Sequence, residues 1–431
     1  MAKSRRNVQV SFSAEGITHF GGVLLLHRFV QKLQLRRALT RLLRQRERNS
    51  RYSFGEMTLA VLYPILLGLG RLETARLLRH NGVFQQITGL HTYPHPSSLR
   101  RFLSRLGSKT LPGLLQLHDH WRTRWLRART ARFDLDTTVL TVYGRQQRAA
   151  IGFNPKKRGR PSFQPLLCFE GDSGLCWEAE WLPGNAHPLP VSQRVLRRAL
   201  AKLPHTVRAV SLRADPVFYD QKLLDFLEQN HIRYVIAVRL SADLKSRLEA
   251  LRYRRYASGL EAAALVYRPA SWTRARRFAI IRRPVPPEPS RQLHLFTLKG
   301  YSYEALVTDL ELIPLNVWKF YNHRSTAELI IRELKEGCAV GKIPRRDWAA
   351  NLAYFQLVLL AFDLLVGFQQ LCLRGSWRSL NIQSLRQRLL CVPAVWARPH
   401  GVPTLRFACS YPYQETFLQV LRRIEQLRSA G

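Results

Sequence analysis

FDLDTTVLTVYG, from Phe133 to Gly144, is where the chain changes character. Upstream the apolar residues recur at helical spacing; here polar and apolar residues alternate. A strand has a side-chain period of two, so Asp134 and Asp136 share one face and Phe133 and Leu135 the other. QPLLCFEGDSGLCWEAEWLPG (Gln164–Gly184) reads as further strands joined by a Gly-containing turn. An amphipathic helix over Val195–Leu203, the strand AVSLRAD ending at Asp215, the helix Gln221–Gln229 and the strand YVIAVRL (234–240) follow. Strand and helix now alternate, which predicts an α/β fold, a mixed sheet flanked by helices.

Outward from this centre, residues 1–125 predict a helical N-terminal region. Val23, Leu26, Phe29, Val30 and Leu33 fall at helical spacing, as do Leu99, Phe102, Leu103 and Leu106 behind Ser97 or Ser98 as N-cap. The stretches Leu72–Ile87 and Ser98–Leu106, separated by the turn-rich GLHTYPHP, suit either a helix-turn-helix-like DNA reader or a plain helical bundle. The α/β part spans 126–244. Residues 245–312 break its pattern with short alternating runs (RRFAIIRR, QLHLFTL, YEALVTDLEL) around PVPPEP, and predict a β-rich insertion. Helical periodicity returns over 313–375, and 376–431 forms a small C-terminal region with a strand pair around PAVWARPHGVPTLRFA and a last amphipathic helix.

Composition narrows the function. The chain has 68 Lys plus Arg against 29 Asp plus Glu, a formal charge of +39, with a hydrophobic share of 46%. Such a chain folds, and its positive excess repels itself unless a polyanion neutralises it. Double-stranded DNA is the leading partner, because Arg forks suit phosphate. A membrane partner is not expected: the longest apolar runs, Leu59–Leu69 and Leu352–Phe368, carry Pro64 and Asp363 and read as buried helices. The basic start MAKSRRN leads into no apolar leader, which predicts a cytoplasmic protein. Six cysteines without a CxxC pair predict neither zinc nor disulfides.

Three acids stand at candidate catalytic positions. Asp134 and Asp136 share a strand face, which an ordinary solvated surface strand would also give. Asp215 ends an apolar strand before Pro216, where ligands collect in open α/β sheets and where a turn-initiating Asp is also common. In YNHRSTAELIIRELKEG, Tyr321, Arg324, Glu328 and Lys335 fall on one stripe of a continuous helix; Arg324 and Glu328 could equally be an i,i+4 surface pair. Three converging carboxylates repel one another unless divalent cations occupy the cluster, and two such cations serve phosphoryl transfer.

The spacing Tyr321, two residues, Arg324, three residues, Glu328, six residues, Lys335 resembles the Y-(2)-R-(3)-E-(6)-K signature of DDE transposases from bacterial insertion sequences. The opening ITHFGGVLLLHRFVQKLQL, the LDTT strand, GFNPKKRGRPSFQPLL, SLRADPVFY and KIPRRDWAANLAYFQLVLLAFDLL resemble that group in the same order, so the likeness covers nearly the whole chain. The resemblance implies an RNase H-like catalytic domain with Asp136, Asp215 and Glu328 as Mg²⁺ ligands, Mn²⁺ being a possible substitute. Asp136 is favoured over Asp134 because it precedes Thr137, as in the family's Asp-Thr pairing. The likeness also implies that Tyr321, Arg324 and Lys335 position DNA near Glu328. Arg332, Arg213 and the basic run Lys156, Lys157, Arg158 and Arg160 are further candidates for DNA contact. Arg158-Gly159-Arg160-Pro161 alone resembles an AT-hook core, but its place between strands favours a basic hairpin on the DNA backbone. Trp272, in the insertion, is the candidate for stacking on a flipped base, with a core Trp as the plain alternative.

The implied activity is strand cleavage at terminal inverted repeats and strand transfer to target DNA, by a homodimer on two DNA ends, in the bacterial cytoplasm and at the nucleoid when DNA-bound. The alternatives are a catalytically silent DNA-binding descendant of a transposase and an RNase H-like nuclease that cleaves without joining.

Overall fold

The computed structural model describes residues 8–42, 51–106, 110–256, 259–285, 297–298 and 300–428. The chain divides into two compact units: one comprises residues 1–114, 337–345 and 349–431, the other residues 115–336 and 346–348.

The second unit is built on a ten-stranded mixed sheet among the described residues. Strand β1 (Thr130–Thr137) pairs antiparallel with β2 (Leu166–Glu170), and β2 with β3 (Cys176–Glu180). Helix α1 (Leu189–Ala201) then leads to β4 (Ala209–Ala214), which lies parallel to β1 on its other side. Helix α2 (Gln221–Gln229) leads to β5 (Ile232–Val238), parallel to β4. Along the sheet these five run in the order β3, β2, β1, β4, β5.

The alternation read from the sequence decides the faces. Phe133 and Leu135 of β1, Leu166 and Cys168 of β2 and Leu212 and Ala214 of β4 pack with Val195, Leu196 and Ala199 of α1 and Leu223, Leu224 and Leu227 of α2. Asp220 caps α2, accepting from Leu223 N at 3.0 Å. On a second cluster of the same sheet, Val235 and Ala237 of β5 pack against Val317 of α3 (Pro314–Asn322), which precedes α4 (Ser325–Glu336).

The strands of the β-rich stretch 245–312 are continuous with the main sheet. Its strands β6 (Glu261–Tyr267), β7 (Arg276–Pro284) and β8 (Tyr301–Thr308) form an antiparallel meander, and Ala305–Thr308 pair with Val235–Val238 of β5. The open edge of β5 is thereby covered and the sheet runs on, which removes an unpaired edge. Of the expected QLHLFTL strand only Thr297–Leu298 is described, paired with β8; residues 292–296 and the 286–289 part of PVPPEP lie outside the described residues, as does the MAKSRRN start.

The first unit joins the two ends of the chain, where the sequence suggested separate regions at 1–125 and 376–431 with 313–375 completing the α/β domain. The cause is local packing. Ile17–Thr18 pair with Ala394–Val395, which pair in turn with Arg406–Phe407. Gly22 permits the close approach of Val23–Lys32: a Cβ there would meet the Leu389 carbonyl oxygen at 1.7 Å. Arg386 is buried and donates to the carbonyls of Leu66, Ile65 and Gly337 at 2.8, 2.7 and 2.7 Å, giving the last carbonyl of the helix Phe54–Leu66 a partner. Leu72–Ile87 and Ser98–Leu106 overlap the short helices Ala75–Arg79, Gly82–Thr88 and Pro96–Arg105.

The apolar run at Leu352–Phe368 belongs to a longer helix than the sequence suggested, Trp348–Cys372. By length and composition its 25 residues could cross a membrane, but 89% of its apolar window is buried in the fold. It reads as a core helix. None of the six cysteines is in a disulfide among the described residues.

Candidate active site

The two acids of β1 share a face, as alternation requires, yet their surroundings differ. Asp134 stands in register with Arg213 on β4. Arg213 donates Nε to Asp134 Oδ1 at 2.7 Å and Nη2 to Oδ2 at 2.8 Å, and its Nη1 reaches the Phe320 carbonyl at 3.1 Å. Both side chains are buried. Gly171 makes the room: a Cβ there would lie 2.5 Å from Arg213 Nη2 and 2.7 Å from Asp134 Oδ2. Arg213, expected on DNA, is thus placed inside the fold with each end of its guanidinium engaged. The parallel pairing of β1 with β4 decides this, and the sequence does not display that register.

Asp136, two residues on, faces different partners. Its Oδ1 accepts from Thr137 N at 2.8 Å, and its Oδ2 lies 2.9 Å from Arg324 Nη2. The other arm of Arg324, Nη1, donates to Glu328 Oε1 at 3.3 Å. Asp215 ends β4 and caps the following turn, its Oδ1 accepting from Val217 N at 3.0 Å. The three acids feel one another. Burial raises the Asp136 pKa to about 6, with Arg324 opposing and the charges of Asp215 and Glu328 adding to the rise. Burial likewise raises Asp215; Arg324 and then Arg239 oppose, and Glu328 adds. Asp136, Asp215 and Glu328 thus act on one another electrostatically around Arg324, whereas the Asp134 carboxylate is taken up by Arg213. Arg239, exposed after β5, is a neighbour that no motif marks.

The continuous helix expected through Tyr321–Lys335 is two helices. Helix α3 ends at Asn322 and α4 begins at Ser325. The bend keeps tight-turn bonds, Arg324 N to Tyr321 O and Ala327 N to Arg324 O, both 2.8 Å. Arg324 sits at the bend and is buried, so its fork enters the acid cluster and does not lie on an exposed stripe. Its Nε finds no hydrogen-bond partner. Glu328 remains exposed, its side chain 64% accessible. Burial pushes the Tyr321 hydroxyl up to about 12. Lys335 is lowered, by burial first and by the nearby charge of Lys156, while Asp136 opposes the fall. Lys156, Lys157, Arg158, Arg160 and Arg332 are exposed.

Trp272, the candidate for base stacking, is buried in the core that includes Phe278 and Tyr267. Tyr219 packs on it at 4.8 Å between centroids, and Arg276 lies 5.1 Å from its ring. It fills the space between the turn after β4 and the meander, so the plain alternative applies.

Among the described residues no three His, Cys, Asp or Glu side chains stand as a ready metal cage. The donor chemistry nevertheless suits a hard cation: the acids offer carboxylate oxygens only. Burial, more than the neighbouring acids, raises Asp136 and Asp215, and the positive charge of Arg324 opposes it.

This has a measurable consequence. The folded pKa of Asp136 exceeds its ordinary 3.8, so between about 4 and 6 the folded state holds the extra proton, and stability falls as pH rises through that window. Asp136→Asn is therefore expected to raise the melting temperature at pH 7.5, by an effect worth up to about 3 kcal/mol, and the gain should shrink as pH falls through 6 toward 4. An equal gain at pH 4 and 7.5 in thermal melts would contradict this environment for Asp136.

The structure is similar to one of piggyBac transposase in a synaptic complex with hairpin DNA, at 13% sequence identity and a TM-score of 0.47, covering 86% of this chain and 80% of that one. No curated protein is similar enough to match. A family model described as "Transposase DDE domain group 1" matches residues 1–429. Because that match takes in both compact units and all three clustered acids, the chain belongs to the DDE-domain transposase family.

Proposed function

We propose that the protein is the transposase of a bacterial insertion sequence, which binds the terminal inverted repeats, cleaves the DNA ends and joins them to target DNA as a homodimer holding two ends. The observation that carries this reading is the Arg324 fork. One guanidinium reaches Asp136 on β1 and Glu328 on α4, and its charge acts on Asp215 at the end of β4. Acids far apart in sequence thereby share the influence of one counter-ion in a chain of net charge +39.

Asp136, Asp215 and Glu328 are the residues that would hold Mg²⁺, or Mn²⁺ in its place. Such ions, when bound, supply Lewis-acid stabilisation of phosphoryl oxygens and activation of water or a 3′-hydroxyl. The chain's own part is positioning and charge. Arg324 neutralises Asp136 and Glu328, and its planar fork is equally suited to a phosphate. Lys335 and Lys156 lie close enough to influence each other and offer point charges to the backbone beside the acids. Arg332, Lys157, Arg158 and Arg160 extend that basic surface. Three antiparallel strands continued by parallel ones, with acids on the first strand and at the end of the fourth, support an RNase H-like catalytic domain.

The test is incubation of the full chain with Mg²⁺, DNA from both flanks of its gene and a target plasmid at fixed salt, since phosphate-driven binding is salt-dependent. The expected products are cleaved ends and joined ends. Cleavage without joining would make the protein a nuclease, and binding without cleavage would make it a silent DNA-binding protein; either result overturns the proposal.

A further inference from the structure

Between Thr137 and Leu166 the chain detours through a small three-stranded sheet, Leu140–Thr141, Ala150–Ile151 and Pro161–Phe163. Over Thr141–Arg160 this detour carries Arg145, Arg148, Lys156, Lys157, Arg158 and Arg160, all exposed, and no acid. Three apolar side chains stand among them: Tyr143, Ile151 and Phe153 are 72%, 62% and 76% exposed. A single exposed apolar residue needs no explanation, but a group of them among like charges marks an interaction surface.

These side chains are held in place. Gly152, before Phe153, is pressed against Gly184, where a Cβ would meet the carbonyl oxygen at 1.9 Å. Asn154, after it, is buried, donating to Thr141 Oγ1 at 2.9 Å and accepting from Lys157 N at 3.1 Å. The backbone on both sides of Phe153 is therefore anchored while its ring stays in solvent. Val142 N donates to Pro161 O at 3.0 Å at the root of Tyr143, and the Arg160 guanidinium lies 5.8 Å from the Tyr143 ring. A rigid apolar side chain kept in water costs hydrophobic free energy that burial elsewhere would recover.

We propose that Tyr143 and Phe153 form a platform on which unpaired nucleobases of the DNA strand beside the acid site stack, while the surrounding cations hold its phosphates. The inference rests on the DNA-processing reading above and names a further recognition element of the same site. The placement fits, because the detour leaves β1 at Thr137, directly after Asp136, and enters its first strand at Leu140–Thr141, and Lys156 acts electrostatically on Lys335. The charge pattern selects the occupant: six cations without an acid repel a basic surface and attract a polyanion. Cations alone would follow a duplex backbone of any kind. Aromatic faces add a preference for bases released from pairing, and they do so whatever the sequence. Trp272 is buried, whereas the rings of Tyr143 and Phe153 are exposed.

The test uses the full chain and two fluorescein-labelled probes of equal length at one salt concentration. One is fully paired; the other carries a central run of unpaired thymines with one 2-aminopurine. Wild type is expected to bind the second about tenfold more tightly and to quench its 2-aminopurine. Tyr143→Ala combined with Phe153→Ala should bring the two affinities together and abolish the quenching, with paired-probe affinity unchanged. Lys156→Ala with Lys157→Ala should weaken both probes and flatten the salt dependence. Phe153→Leu, which keeps bulk without a π face, should lose the quenching too. Equal binding of both probes by wild type, or a preference that survives loss of both rings, overturns the platform while leaving the DNA reading intact. Failure to bind either probe overturns both.

Discussion

Asp215→Asn and Glu328→Gln are each expected to slow Mg²⁺-dependent cleavage of flank-end DNA by about a thousandfold or more while DNA affinity holds or tightens. The size follows from the several kcal/mol that metal-assisted phosphoryl transfer draws on, at about 1.4 kcal/mol for each tenfold in rate. The substitutions are chosen so that folding does not confuse the result. Asn at 215 keeps an oxygen for the Val217 N–H that Asp215 now caps. Glu328 is exposed and bonded only to Arg324 among the contacts described, so a neutral amide there strains nothing. Removing a negative charge near DNA phosphates leaves binding intact or improves it. Single-turnover cleavage beside a filter-binding measurement separates the two quantities. A variant that cuts within tenfold of wild type would remove its acid from the proposed triad.

The second large effect falls on the neighbouring acid and is of a different kind. Asp134→Ala is expected to destabilise the α/β unit by about 3–5 kcal/mol, because it leaves the Arg213 guanidinium buried without its carboxylate. The pair is bidentate, at 2.7 and 2.8 Å, and both partners are buried. Replacing both members, as in Asp134→Leu with Arg213→Met, should recover much of that loss, since an apolar pair of similar volume avoids the desolvation of two charges. Urea unfolding followed by tryptophan fluorescence reads this, with Trp177 packed near Phe133 on the same sheet. If Asp134→Ala unfolds at the wild-type midpoint yet fails to cleave, the roles assigned to the two β1 acids must be exchanged.

The contrast between these acids marks how far the sequence could be read. Period-two alternation placed Asp134 and Asp136 on one face, opposite Phe133 and Leu135, and the core packing agrees. It could not separate them. What separates them is strand order: β4 lies beside β1, and Arg213 in register with Asp134 claims that carboxylate, while Asp136 lies one pleat further along, within reach of Arg324. The same holds for Trp272, whose environment is set by the turn after β4 and by the meander. In the 321–335 stretch, spacing identified the residues that meet, but the bend at His323–Arg324 turns Arg324 inward, and helical periodicity is blind to a bend that costs one hydrogen-bonded turn.

By itself the sequence determined the class of the protein. Local alternation and periodicity place most strands and helices, the charge points to a polyanionic partner, and the positions of Asp136, Asp215, Arg324, Glu328 and Lys335 mark the candidate site. The tertiary structure alone decided which cations are buried counter-ions and which face solvent, that strands β6, β7 and β8 extend the main sheet, and that the two ends of the chain share one unit. The physical reason is that these outcomes depend on register and close packing between segments distant in the chain. A parallel strand pair, a glycine pressed against a carbonyl and a buried ion pair are set by geometry that no local pattern contains.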